Sequence, residues 1–276
     1  MITDMDVSDY LDTQSDFDLE LFAYRSLQDN GIEAVHAGWY TDPVTGIPRQ
    51  FDIRAHAVFN TTCEIQFAIE CKSLSEDGPL LVSRVPRPPK DSYHEVLFSF
   101  GDVAAHQSTT QTLRNDGRGG LYSPNKMVGK KIEQIGKDRE GRIKKVRDNE
   151  TYQKWAQAFA SADELVKSVP FSNQRHHENK FLVFVLPILV VSDRTLWVAN
   201  YSELGQREGA PVQVDETTIW MNRKYEYGPN RQPYEVSHLQ IYTRIGFSHF
   251  LQQELRDDRF QDRAFGFALR HAAETR

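Results

Sequence analysis

Cysteine is scarce in this 276-residue chain, no apolar run is long enough to span a bilayer, and the N-terminal stretch is not basic. Each shortage excludes something. Cys63 and Cys71 fall on one predicted strand, where eight residues at ~3.3 Å each hold them roughly 26 Å apart, too far to bridge. A disulfide-stapled scaffold is thereby excluded, and a reducing, cytoplasmic setting is expected. The longest apolar run, Phe181 to Val191, contains Pro187, and the opening MITDMDVSDYLDTQSD is acidic where a signal peptide would be basic. Neither export nor membrane insertion is expected. A formal charge of −6 argues against a simple DNA-coating protein, while leaving room for an enzyme with a local basic surface.

What the chain does have is enough apolar content, 39%, to bury a sizeable core. After an acidic, mobile leader (1–14), SDFDLELFAYRSLQDNG reads as a helix with Ser15 or Asp16 as N-cap and Gly31 just past its end. Glu20 lies within or beside the apolar stripe of that helix, among Phe17, Ala23, Tyr24 and Leu27, although an edge-of-stripe glutamate reaching solvent fits equally well. Three strand-like runs follow, from Ile32, Arg49 and Cys63, joined as an antiparallel meander. In the second, Phe51, Ile53, Ala55, Ala57 and Phe59 share one face, leaving Asp52, Arg54 and His56 on the other. In the third, Ile65, Phe67, Ile69 and Cys71 form the apolar face, and Glu64, Gln66, Glu70 and Lys72 point away.

Asp52, Glu70 and Lys72 can therefore share one face of adjacent strands, with Glu70 and Lys72 roughly 7 Å apart along theirs. Two carboxylates held close repel unless a cation sits between them, and hard oxygen donors favour Mg²⁺ or Mn²⁺. Such an ion polarises a phosphate oxygen and acidifies a bound water, while an ammonium positions that water or balances developing charge. Taken alone, E-x-K is common on polar strand faces.

A helix bearing Glu20, a meander, Asp52 on its second strand and AIECKS at the end of its third together resemble the PD-(D/E)XK phosphodiesterase superfamily. The resemblance covers residues 15 to 73, and more loosely the later helix and strands. It implies a restriction-endonuclease-like fold, with Asp52, Glu70 and Lys72 catalytic and Glu20, Asp52 and Glu70 as metal ligands. The motif proline is missing, since Phe51 precedes Asp52 and the nearest proline is Pro48.

Residues 73–149 show no strong strand pattern and read as an insertion within one nuclease-like domain spanning 1–276. Between Arg114 and Arg147 eleven basic residues face four acidic ones, a local charge of +7. Either this is a solvated loop of mixed charge or it is a nucleic-acid contact, for which Lys130, Lys131, Lys144 and Lys145 are the candidates. The stretch from Tyr93 to Leu113 reads as a helix over the site. Its His94, His106 and Gln107 lack ligand spacing, and the pair His176–His177 is a weak metal signal. A core helix is expected around Trp155, Phe159, Ala162 and Val166; Gln153 and Lys154 near its start are read as surface residues, with reach to substrate as the alternative if the resemblance extends that far. Phe181 to Val191 is then a buried strand with TLWVANYS as a partner, YEVSHLQIYTR is a further strand, and GFSHFLQQELRDD is the terminal helix.

The expectation is an α/β fold, a mixed central sheet flanked by helices with an inserted basic region. The expected function is a Mg²⁺- or Mn²⁺-dependent nuclease acting on DNA, by fold-level analogy the cutting part of a restriction or defence system. RNA cleavage, and a non-catalytic nucleic-acid- or protein-binding module on the same scaffold, stay open, as does delivery of substrate by a homodimer or partner protein.

Overall fold

The computed structural model describes residues 2–13, 15–102, 107–116, 119–138, 140–145, 149–169 and 180–274. The leader is helical: α1 spans Asp4–Thr13, with its described side chains exposed. Helix α2 (Phe17–Asp29) buries Leu19, Ala23 and Leu27 at helical spacing. It stops where Gly31 takes a left-handed φ of 73° and donates its N–H to the Gln28 carbonyl. Asp16 occupies the N-cap position but makes no capping bond, and its carboxylate turns elsewhere.

The single strand expected from Ile32 to Tyr40 is broken. After β1 (Glu33–His36), Ala37 adopts φ 57° and Gly38 presses on the Phe51 ring. The chain leaves the main sheet there, and β2 (Trp39–Thr41) and β3 (Pro48–Gln50) form a separate hairpin. The second run is correspondingly interrupted at Phe51 and Asp52. Strand β4 (Ile53–Asn60) then pairs antiparallel with both β1 and β5 (Cys63–Lys72). The expected meander is present with a hairpin let into it.

Residues 73–149 are rich in strand, contrary to the sequence reading. They carry β6 (Leu80–Pro86), β7 (Tyr93–Asp102), β8 (Gln107–Asp116), β9 (Met127–Lys137) and β10 (Ile143–Lys145). The helix predicted from Tyr93 is the β7–β8 hairpin. Val96 and Phe98 pack into one face of the main sheet and Leu97 into the other, so burial on two sides removes the alternation that marks a strand. Helix α3 (Asn149–Ser168) follows as expected, then β11 (Lys180–Val191), β12 (Leu196–Tyr201), β13 (Arg207–Gln213), β14 (Glu216–Tyr227) and β15 (Gln232–Thr243). The expected terminal helix is only α4 (Arg244–His249) and a π-helical turn, Phe250–Glu254. A further helix, α5 (Asp258–Glu274), comes after it.

Thirteen strands form one mixed sheet in the order β1–β4–β5–β11–β15–β14–β9–β6–β12–β13, with β10 beside β9 and the β7–β8 hairpin on β11. Strand β11 runs parallel to β5 and β15. Strand β12, expected beside β11, instead pairs with β6 and β13. On one face α2, α4 and α5 cover Ile53, Phe67, Ile69 and Cys71; on the other, α3 lays Ala158, Phe159 and Ala162 over Ala68, Val183 and Val185. Every residue of β5 is buried as a result, including its polar ones. The protein is thus mixed α/β, a large sheet flanked by helices. No helix among the described residues is long and apolar enough to cross a membrane.

Candidate active site

Four chain segments meet at one end of β5: the start of α2, the bend before β4, the last residues of β5 and the first turns of α3. Asp52 sits in the bend, where its Oδ2 accepts the Cys71 backbone N–H at 2.8 Å. That bond ties the start of one strand to the end of its neighbour. The same oxygen accepts from Lys154 Nζ at 2.7 Å. Glu70 is fully buried, and among the described residues neither of its oxygens has a hydrogen-bond donor in good geometry; Lys154 Nζ lies 3.6 Å from Oε2. Burial, and then the neighbouring Asp52 charge, push the Glu70 carboxyl well above the usual carboxylate range. Burial alone would lower the Lys154 ammonium, but Asp52 and Glu70 outweigh it and hold it above its ordinary value.

Lys72 is buried beside them, its Nζ 3.6 Å from Asp16 Oδ1. Asp16 in turn accepts the Ser73 backbone N–H at 2.7 Å, latching the start of α2 onto the end of β5. Burial raises the Asp16 carboxyl, against the lowering pull of Lys72. Tyr40, on the hairpin, places toward the same site a buried hydroxyl that has no hydrogen-bond partner among the described residues. Its pKa is raised by burial and then by Glu70.

Glu20 departs from its expected role. Its Oε2 lies 2.9 Å from His36 Nε2, in a niche flanked by the rings of Phe17 and Tyr24. Burial and then Asp52 raise its carboxyl, which places it electrostatically in the site while one oxygen is committed to His36. Among the described residues no group of three His, Cys, Asp or Glu side chains is arranged to hold a metal ion. The expected triad of Glu20, Asp52 and Glu70 is therefore not assembled as a ligand set. Asp52 and Glu70 alone fit a hard divalent cation: both are carboxylates, adjacent, and Glu70 brings two buried oxygens with no well-formed hydrogen bond among the described residues.

Lys154, read from sequence as a surface residue with reach to substrate as the alternative, is the central cation of this cluster. The signal was there in its spacing. Residues 154, 158, 161 and 162 fall on one helical face, and Ala158, Ser161 and Ala162 are small and buried, so α3 approaches β5 closely and carries Lys154 inward. Arg54 fixes that helix: its Nε donates to Ser161 Oγ at 3.0 Å, its Nη1 pairs with Glu164 at 2.7 Å, and the guanidinium stacks over Phe51.

The basic candidates divide. Lys130 pairs with the buried Asp91 and lies over the Trp220 ring, which makes it part of the packing. Lys131 is exposed and 2.9 Å from Glu133, and Lys144 is exposed on β10. The Lys145 side chain lies outside the described residues, as do the Gln107 and Gln153 side chains and all of His106, His176 and His177. His94 is a core residue: its Nε2 faces the Ala264 carbonyl at 2.9 Å and aromatic rings surround it.

No family model matches the chain, and no curated protein or solved structure matches it either.

Proposed function

We propose that the protein is a metal-dependent phosphodiesterase of the PD-(D/E)XK, restriction-endonuclease-like kind, cutting nucleic acid with DNA as its substrate. One observation carries the reading. A fully buried glutamate, Glu70, whose oxygens have no well-formed hydrogen bond among the described residues, sits against Asp52 and beside Lys72 and Lys154, where two β-strands and two helices converge. Keeping that carboxyl ionised in burial takes positive charge beside it, which Lys154 supplies here and a bound divalent cation would supply more strongly.

Asp52 and Glu70 would hold Mg²⁺ or Mn²⁺, which when bound polarises a phosphate oxygen and acidifies a coordinated water. Asp52 is oriented for this by the Cys71 N–H. Lys72, steadied by Asp16, supplies an ammonium to position the attacking water or to balance charge on the phosphate. The two unbridged, buried thiols support a reducing, cytoplasmic setting.

The test is incubation of the purified protein with plasmid, linear DNA and RNA in Mg²⁺, Mn²⁺ or EDTA, beside Asp52→Asn. Metal-dependent cleavage by the wild type alone is the expected result. Nucleic-acid binding without cleavage in any metal would instead favour a non-catalytic binding module.

A further inference from the structure

Lys154 does more than fill space beside the two acids. Its Nζ is 2.7 Å from Asp52 Oδ2, 3.6 Å from Glu70 Oε2 and 3.8 Å from Asp16 Oδ2. A divalent cation of this type binds carboxylate oxygen at about 2.0–2.1 Å. An ion on the same Asp52 oxygen would therefore stand no farther than about 4.8 Å from the ammonium, two cations sharing one acceptor in a buried site. The two cations repel across that distance, so each weakens the other's hold on the acid.

We propose that Lys154 is a tethered counter-ion that competes with the divalent cation for Asp52 and Glu70, and that cation binding expels its ammonium toward Asp16. The proposal rests on the reading of Asp52 and Glu70 as cation ligands. The helix is poor at yielding, because Trp155, Ala158 and Phe159 anchor its first turns in the core. The side chain can yield instead, since a lysine swings on four carbons, and Asp16 already lies beside its ammonium. The device keeps two close carboxylates compensated, at the expense of cation affinity. Lys72 is paired with Asp16 at 3.6 Å, the same acid toward which Lys154 would move.

The experiment joins calorimetric Mn²⁺ titration of the wild type, Lys154→Met and Asp52→Asn with timed acetylation of wild-type lysines, read by mass spectrometry. Lys154→Met should bind Mn²⁺ about tenfold tighter, the order expected when one buried ion pair no longer has to be broken. In the wild type, saturating Mn²⁺ should speed acetylation of Lys154 several-fold and leave the exposed Lys224 unchanged. Equal or weaker Mn²⁺ affinity in folded Lys154→Met overturns the proposal. If that variant does not fold, an unchanged Lys154 acetylation rate in the wild type overturns it. Mn²⁺ binding that Asp52→Asn abolishes but Lys154 does not influence defeats this proposal alone. No Mn²⁺ binding that depends on Asp52 defeats it together with the functional reading.

Discussion

Glu70 takes a carboxylate into a strand on which nothing is exposed, and Asp52 beside it makes ionisation harder still. Glu70→Gln keeps the shape and removes the charge, so thermal melting should hold level or rise, while cleavage falls by on the order of 10²–10³-fold. A variant that cleaves at the wild-type rate would remove Glu70 from the chemistry. His94 gives a second outcome of the same scale. Burial, only partly opposed by the bond to Ala264, lowers its pKa from 6.5 to about 4. The unfolded chain therefore binds the proton more readily between those values. Stability supplied by the neutral ring is present above pH 6.5 and is lost as pH falls toward 4, by on the order of 3 kcal/mol. Glu95 next to it, raised by burial to about 7, works the other way and costs stability as pH rises through that value. Melts of the wild type and His94→Gln at pH 7.5 and 4.5 separate the two, the variant losing less on acidification. At this scale strand alternation made Asp52, Glu70 and Lys72 legible as neighbours, because period two is a local property. Asp16 and Tyr40 were not legible as members of the cluster, and Lys154 only as a residue that could reach substrate if the resemblance extended that far. Their places depend on contacts between segments far apart in the chain, and Asp16 read locally as nothing more than a cap.

The β2–β3 hairpin carries an element-scale consequence. A Cβ added at Gly38 would stand 2.3 Å from Phe51 Cζ, and Phe51 is itself pinned beneath the Arg54 guanidinium. Gly38→Ala should therefore displace the ring next to Asp52, lowering stability by about 1–3 kcal/mol and cutting cleavage more than the melting loss explains. A denaturant titration paired with the cleavage assay measures both. If activity survives the stability loss intact, Phe51 does not set the position of Asp52. The meander and α3 were readable because each keeps its apolar period, even on β5, where the polar positions are buried as well. The β7–β8 hairpin was misread as a helix because β7 is covered on two sides and its pairing with β11 joins segments some eighty residues apart, which no local window contains.

Across the whole molecule, an acidic chain carries one basic segment, and the strands between them set the spacing. Strand β9 lies four strand steps from β5, about 19 Å at ~4.8 Å per step. Lys130→Ala should destabilise by about 1–3 kcal/mol because it leaves Asp91 buried without its partner. Lys131→Ala with Lys144→Ala should leave melting unchanged, since exposed lysines shift stability by less than about 0.5 kcal/mol. If both touch phosphate, the slope of log affinity against log salt becomes shallower by about 1.8 on duplex DNA, read from binding isotherms in Ca²⁺. An unaltered slope assigns those lysines to solvent. The sheet also makes its own reporter of motion. Cys63 and Cys71 stand at opposite ends of β5, both buried, both with thiols held above their ordinary pKa by burial, so a maleimide reaches neither until the strand parts from β4 or β11. Cys63 adjoins the β4–β5 turn and should be modified first, by fraying. Cys71 waits for the strand segment bearing Glu70 and Lys72 to open, so its modification rate times the breathing of the site itself.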